Sequence, residues 1–280
     1  MSGNGVVDRE GFLLEWVSEG SGTPMIVLGA SRYYPRYFPQ ALRRHFKMVF
    51  CDLRQWAPTP AGYDITRITR DTFSDDVDAV RRAVGFERPI VVGHSQHGAM
   101  ALEYARRYPE RARGVVAVAP MPPRGSADGL ESSAQFFERD AGPERLAAHA
   151  RNLATLRPAT VETSEDFIAD YVANGAEGWF DPTFDSSPLW DGVWINLGVE
   201  DQVFTAQAFG GFELGPMAVP VFLALGRYDY GTPYFHWDRP KAQLSNLTYR
   251  LYDRSGHNPP YEQPEEFTAD VVDWASTLRP

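Results

Sequence analysis

Short apolar runs rich in Val, Ile and Leu alternate along the chain with longer segments in which apolar residues recur every three or four positions. The runs FLLEWV at 12–17, MIVLG at 25–29, MVFCD at 48–52, PIVVG at 89–93, VVAVA at 115–119, VPVFLAL at 219–225 and LTYRLY at 247–252 predict strands. Several are near-continuously apolar, which implies cover on both faces and hence a mostly parallel sheet. The spacing predicts helices over 69–84, 96–109 and 263–278, the last with Pro and acidic residues in its first turn, at the positive end of the helix dipole. Alternation of this kind predicts an α/β fold, a central sheet flanked by helices.

The alternation breaks at 121–216. That stretch leaves the sheet through MPPRGSADG, carries helical patterns near 131–153 and 164–173, and continues into the aromatic series Trp179, Phe180, Phe184, Trp190 and Trp194. It reads as a lid inserted into a core made of 1–120 and 217–280. Insertions over a rigid sheet are where substrate contacts gather.

At 280 residues the chain is long enough for one large domain with such an insertion. A formal charge of −10 would repel a polyanion, so nucleic acid is not an expected partner. The start, MSGNGVVDREGF, lacks a basic and apolar leader, and no stretch approaches the roughly 18 to 20 apolar residues of a membrane span. A soluble cytoplasmic protein is expected, its oligomeric state open. Cys51, the one cysteine, ends an apolar run and reads as a buried, inert thiol.

The chemistry begins at PIVVGHSQHG, residues 89–98, where Ser95 stands between an apolar strand and a helix. On such a tight turn the hydroxyl is raised above the sheet and the next backbone N–H points into the site. The string departs from G-x-S-x-G by one residue, with His97 where the second glycine would stand and Gly98 following. Two more segments come in the order serine, acid, histidine: VPVFLALGRYD brings Asp229 just past a buried strand, and SGHNPPYEQPEEF puts His257 in a loop before the terminal helix. A serine hydroxyl is a weak nucleophile at neutral pH, so a neutral imidazole must take its proton, and a carboxylate must fix the tautomer of that imidazole. Asp253 is the nearby substitute acid. The oxyanion donors expected are the backbone N–H of Gln96 and that of Ala30 or Ser31.

Tyr33, Tyr34, His97, Trp179, Trp190 and Trp194, with Ser31, are expected near substrate, although about half of the aromatic group reads equally well as core. His94 reads as structural, and His97 as substrate contact or packing. His45 reads as a solvated helix residue. No His, Cys or carboxylate spacing resembles a metal site, no phosphate loop is present, and no cofactor is expected.

Taken together, the strand order, the GHSQHG elbow, the GRYD strand end and the SGHNPPYEQPEEF tail resemble the α/β-hydrolase superfamily over nearly the whole chain. GHSQHGAMALEYARRYPE and GASRYYPRYF resemble the macrolide esterases, serine enzymes that open the lactone of sixteen-membered macrolide antibiotics. The resemblance implies attack by Ser95 on a macrolactone ester and release of a linear hydroxy acid, an antibiotic-inactivating reaction. An acidic surface would not oppose the amino sugar of such a drug. Two other readings stay open: an aminopeptidase like proline iminopeptidase, with Glu162, Glu165, Asp166, Asp170 or Glu177 holding the substrate ammonium, and a ligand sensor that does not turn over. A general carboxylesterase is the less specialised form of the first.

Overall fold

A computed structural model describes residues 3–279. Eight strands, β1 (Gly3–Arg9), β2 (Phe12–Gly20), β3 (Thr23–Leu28), β4 (Phe46–Cys51), β5 (Ile90–His94), β6 (Gly114–Val118), β7 (Val221–Gly226) and β8 (Leu247–Tyr252), form one sheet in the order β1-β2-β4-β3-β5-β6-β7-β8. Pairing is antiparallel from β1 to β4 and parallel from there to β8. The helices are α1 (Tyr34–Tyr37), α2 (Arg70–Ala83), α3 (Gln96–Arg107), α4 (Ser133–Asp140), α5 (Pro143–Leu156), α6 (Ser164–Ala173), α7 (Gly175–Gly178), α8 (Leu197–Val203), α9 (Pro259–Glu262) and α10 (Pro264–Ser276).

Alternation along β3 shows how the sheet is covered. Ile26 and Leu28 join a cluster with Phe73 and Val77 of α2 and Ala101 of α3, whereas Met25 and Val27 join the opposite cluster with Phe267 and Trp274 of α10. Successive side chains of a strand point to opposite faces, so a run apolar at every position is what a two-sided core requires.

One strand is absent from the hydrophobic pattern. β1 is a largely exposed edge strand with few apolar side chains, and what signals it is the turn: Glu10 and Gly11 both adopt positive φ (57° and 90°), the two-residue reversal of a hairpin into β2. The helical pattern near 131–153 resolves into two helices, because Gly142 and Pro143 end α4 and start α5.

Between β6 and β7 the inserted segment supplies α4 to α8. Val199 and Val203 of α8, with Phe209 and Phe212, join the cluster that holds α2 and α3, so apolar packing runs without a break from the insertion into the core. No helix among the described residues is long and apolar enough to cross a membrane.

Candidate active site

Ser95 follows β5 directly and precedes the first residue of α3, with φ 57° and ψ −127°, a conformation that L side chains rarely adopt. Backbone bonds hold it there. Its N–H donates to Val118 O at 2.9 Å, and its carbonyl accepts from Gly98 at 2.9 Å and Met121 at 3.0 Å. A Cβ on Gly93 would stand 1.9 Å from His97 O, and one on Gly98 would stand 2.6 Å from Pro120 Cβ. Both glycines are therefore steric requirements of the turn. At position 97 the site accepts a histidine, whose ring is buried with Nδ1 3.2 Å from Tyr34 Oη.

Asp229 lies three residues past β7 and His257 five past β8, and their side chains meet, Nδ1 to Oδ2, at 2.6 Å. Asp229 is further fixed by the N–H groups of Gly231 (3.1 Å) and Thr232 (2.8 Å) on Oδ1, while the Thr232 hydroxyl donates to Oδ2 at 2.6 Å. Burial opposes protonation of His257, but the Asp229 carboxylate outweighs it and raises the imidazole pKa above its ordinary value. Ser95, Asp229 and His257 line one crevice of about 240 Å³ with Tyr171, Trp179 and Thr232. Neither the Ser95 hydroxyl nor His257 Nε2 has a hydrogen-bond partner among the described residues, so no hydrogen bond joins the two. Asp253, by contrast, is 84% exposed and stands beside Arg254. It does not reach His257.

The loop after β3 distinguishes the two oxyanion candidates. Ser31 N–H is taken by the buried Asp52 carboxyl at 2.6 Å. Ala30 N–H has no acceptor among the described residues, and Gln96 N–H, at the first position of α3, lies outside the helical ladder. Burial pushes the Asp52 carboxyl up to about 7, against the opposing pull of Ser31 N–H.

A cavity of about 280 Å³ opens beside Ser95 and Gln96, lined by Ala30, Tyr33, Tyr34, His97 and Trp190 among others. It shares Ser95 and Tyr171 with the crevice, which is where Trp179 lies. Trp194 is 45% exposed and lines a different groove of about 440 Å³, which touches the cavity at Ala30 and Trp56. Ser31 lines none of these spaces. His94 is buried, with Nε2 3.0 Å from the His257 carbonyl, and supports the histidine loop from below. His45 is exposed, as the cap of a short 3-10 turn.

Five residues of this cavity carry little site signal in the sequence: Trp56, Phe167, Tyr171, Phe204 and Glu200. None of the carboxylates Glu162, Glu165, Asp166, Asp170 and Glu177 lines the cavity. Asp166 caps α6, Asp170 pairs with Arg157 at 2.8 Å, Glu162 and Glu165 are exposed, and Glu177 lines the crevice. The signal for Glu200 is faint. It is a charged residue beside the Val199/Val203 stripe of a short helix, and only the packing of that helix turns it inward.

A family model described as alpha/beta hydrolase fold matches residues 27–264. The AB hydrolase superfamily protein YclE of Bacillus subtilis is 29% identical over 277 residues, covering 96% of this chain and 98% of its own. Proline iminopeptidase of Heyndrickxia coagulans is 23% identical, covering 92% of each. Among solved structures, an alpha/beta fold family hydrolase from Bacillus anthracis superposes with a TM-score of 0.70 at 17% identity, covering 98% of this chain and 99% of that one.

Proposed function

Because the chain belongs to the alpha/beta hydrolase family, we propose that it hydrolyses carboxylic esters through an acyl-enzyme on Ser95. The observation that carries this reading is the 2.6 Å Asp229–His257 pair, set in one crevice with a serine on a strained, backbone-braced turn. With Nδ1 held by Asp229, His257 takes the Ser95 proton on Nε2 as the oxygen attacks the carbonyl. The N–H groups of Gln96 and Ala30 receive the negative charge that develops on the carbonyl oxygen. His257 then returns the proton to the departing alcohol, and water repeats the sequence to free the acid.

The substrate favoured within this class is the lactone of a sixteen-membered macrolide. Two things support it: the GHSQHGAMALEYARRYPE and GASRYYPRYF segments, and the aromatic cavity, which adjoins both the crevice and the Trp194 groove, so that a ring far larger than one cavity has surface to lie along. An aminopeptidase is the second reading, favoured by the likeness to proline iminopeptidase.

Labelling with a fluorophosphonate, followed by peptide mass spectrometry, should modify Ser95 and fail on Ser95→Ala. Incubation with a macrolide panel, simple aryl esters and a proline arylamide then separates the substrates. Addition of one water to a sixteen-membered macrolide supports the lactonase, and cleavage of the arylamide supports the peptidase. Aryl ester turnover alone leaves a general carboxylesterase.

A further inference from the structure

Glu200 is a buried acid without a countercharge, facing the space where substrate would lie. It stands on α8, 6% exposed, and lines the 280 Å³ cavity beside Ser95. Both carboxylate oxygens accept from one group, Gln96 Nε2, at 2.9 and 3.0 Å. The fully buried Gln55 amide also neighbours the carboxylate, but it is neutral and supplies no countercharge. No Lys or Arg lines the cavity, and no ion pair involves Glu200 among the described residues. The two histidines in the cavity wall do not compensate, because burial holds both His94 and His97 neutral, the latter down to about 3.

An ionised carboxylate left like this is costly, and burial accordingly pushes Glu200 up to about 7. Orienting the Gln96 side chain needs an acceptor, but a neutral amide would serve at lower cost. What an acid adds is attraction for a cation. The surrounding walls favour the same charge, since Tyr34, Trp56, Tyr171 and Phe204 offer aromatic rings, whose faces attract ammonium groups.

We propose that Glu200 anchors a protonated amine carried by the substrate, one glutamine side chain away from the oxyanion donor of Gln96. The site then selects esters bearing a basic nitrogen close to the reacting carbonyl. The ester half of this statement rests on the serine hydrolase reading, whereas the cation site does not.

The test compares 2-(dimethylamino)ethyl butyrate with 3-methylbutyl butyrate, which differ in one N–H for C–H. The ratio of kcat/KM for the amine over its carbon isostere should fall tenfold or more in Glu200→Gln, through KM. An unchanged ratio overturns the proposal. Binding is read independently of turnover by calorimetry with N,N-dimethylbenzylamine. Ser95→Ala should bind it, and Ser95→Ala with Glu200→Gln should bind at least tenfold more weakly; equal affinities overturn the proposal. Amine binding that depends on Glu200 while neither ester reacts would keep the site and remove the ester reading. Cleavage of prolyl 4-nitroanilide that is lost in Glu200→Gln would identify the amine as an N-terminal one. Should Glu200→Gln fail to fold, wild-type affinity for N,N-dimethylbenzylamine should still exceed that for isobutylbenzene by tenfold or more. Equal affinity there overturns the proposal as well.

Discussion

Ser95 holds its unusual backbone through its own N–H and carbonyl, not through its hydroxyl. Removing that hydroxyl leaves the turn braced. Ser95→Ala is therefore expected to lose several powers of ten in kcat while its thermal melting stays within a few degrees of wild type. Retention of a tenth of the wild-type rate would show that another nucleophile acts. For the acid, Asp229→Asn should cost activity on a similar scale, because an amide at 2.6 Å from Nδ1 favours the wrong tautomer, while the exposed Asp253→Asn should cost little. The pH profile carries a sign as well. His257 works as a base only when neutral, and Asp229 raises its pKa, so activity should climb with pH through a value above the ordinary histidine pKa of 6.5. In Asp229→Asn the attraction is lost while burial remains, so whatever activity is left should rise at lower pH. A limb that stays in place would mean that a different group is being titrated.

The element that presents His257 is a loop between β8 and α9, and Glu262 of α9 organises it from within. One carboxylate oxygen accepts from Gly256 N–H at 2.8 Å and from Asn258 N–H at 3.3 Å, the two residues that flank His257, while the other takes Phe180 N–H from the inserted segment. His257 N–H and the Asn258 amide both reach Gly178 O, so the loop is tied to the insertion twice over. Glu262→Ala should lower kcat by at least an order of magnitude with KM little changed, and should lower the melting temperature, because three backbone N–H groups lose their acceptor, two of them partly buried. A loss confined to KM would place Glu262 in substrate binding instead.

None of this bracing was legible in YEQPEEF, where Glu262 reads as one of several first-turn acids. What the sequence does make legible follows a physical division. Parallel strands buried on both faces announce themselves through continuous apolarity, and their ends locate Ser95, Asp229 and His257 because such a sheet brings those ends to one edge. β1 escapes that signal as an exposed edge strand, and Trp56, Phe204 and Glu200 escape because their nearness to Ser95 exists only once 3-10 turns and α8 have packed.

At the scale of the whole molecule, the formal charge of −10 counts every carboxyl as ionised. Three are not ordinary acids: burial raises Asp52, Glu200 and Glu262 each to about 7. In the unfolded chain these groups ionise near 4, so between about pH 4 and 7 the folded protein binds protons that the unfolded chain has released. Stability due to these groups is full below the unfolded pKa and is lost as pH rises through the folded one. His94 and His97 act in the opposite sense, since burial keeps them neutral where the unfolded chain would protonate them, so the net slope for the wild type mixes both signs. A difference between two proteins isolates one group. Glu200→Gln removes a titrating acid but keeps an amide oxygen to accept from Gln96, and the histidine contributions cancel in the comparison. Unfolding free energies measured by denaturant at pH 5, 6, 7 and 8 should therefore converge for the two proteins at the acid end. The variant should gain steadily on the wild type above it, by up to about 1.4 kcal/mol for each unit of the raised pKa that is crossed. A difference that is flat from pH 5 to 8 would mean that Glu200 is already ionised in the folded protein, with a countercharge.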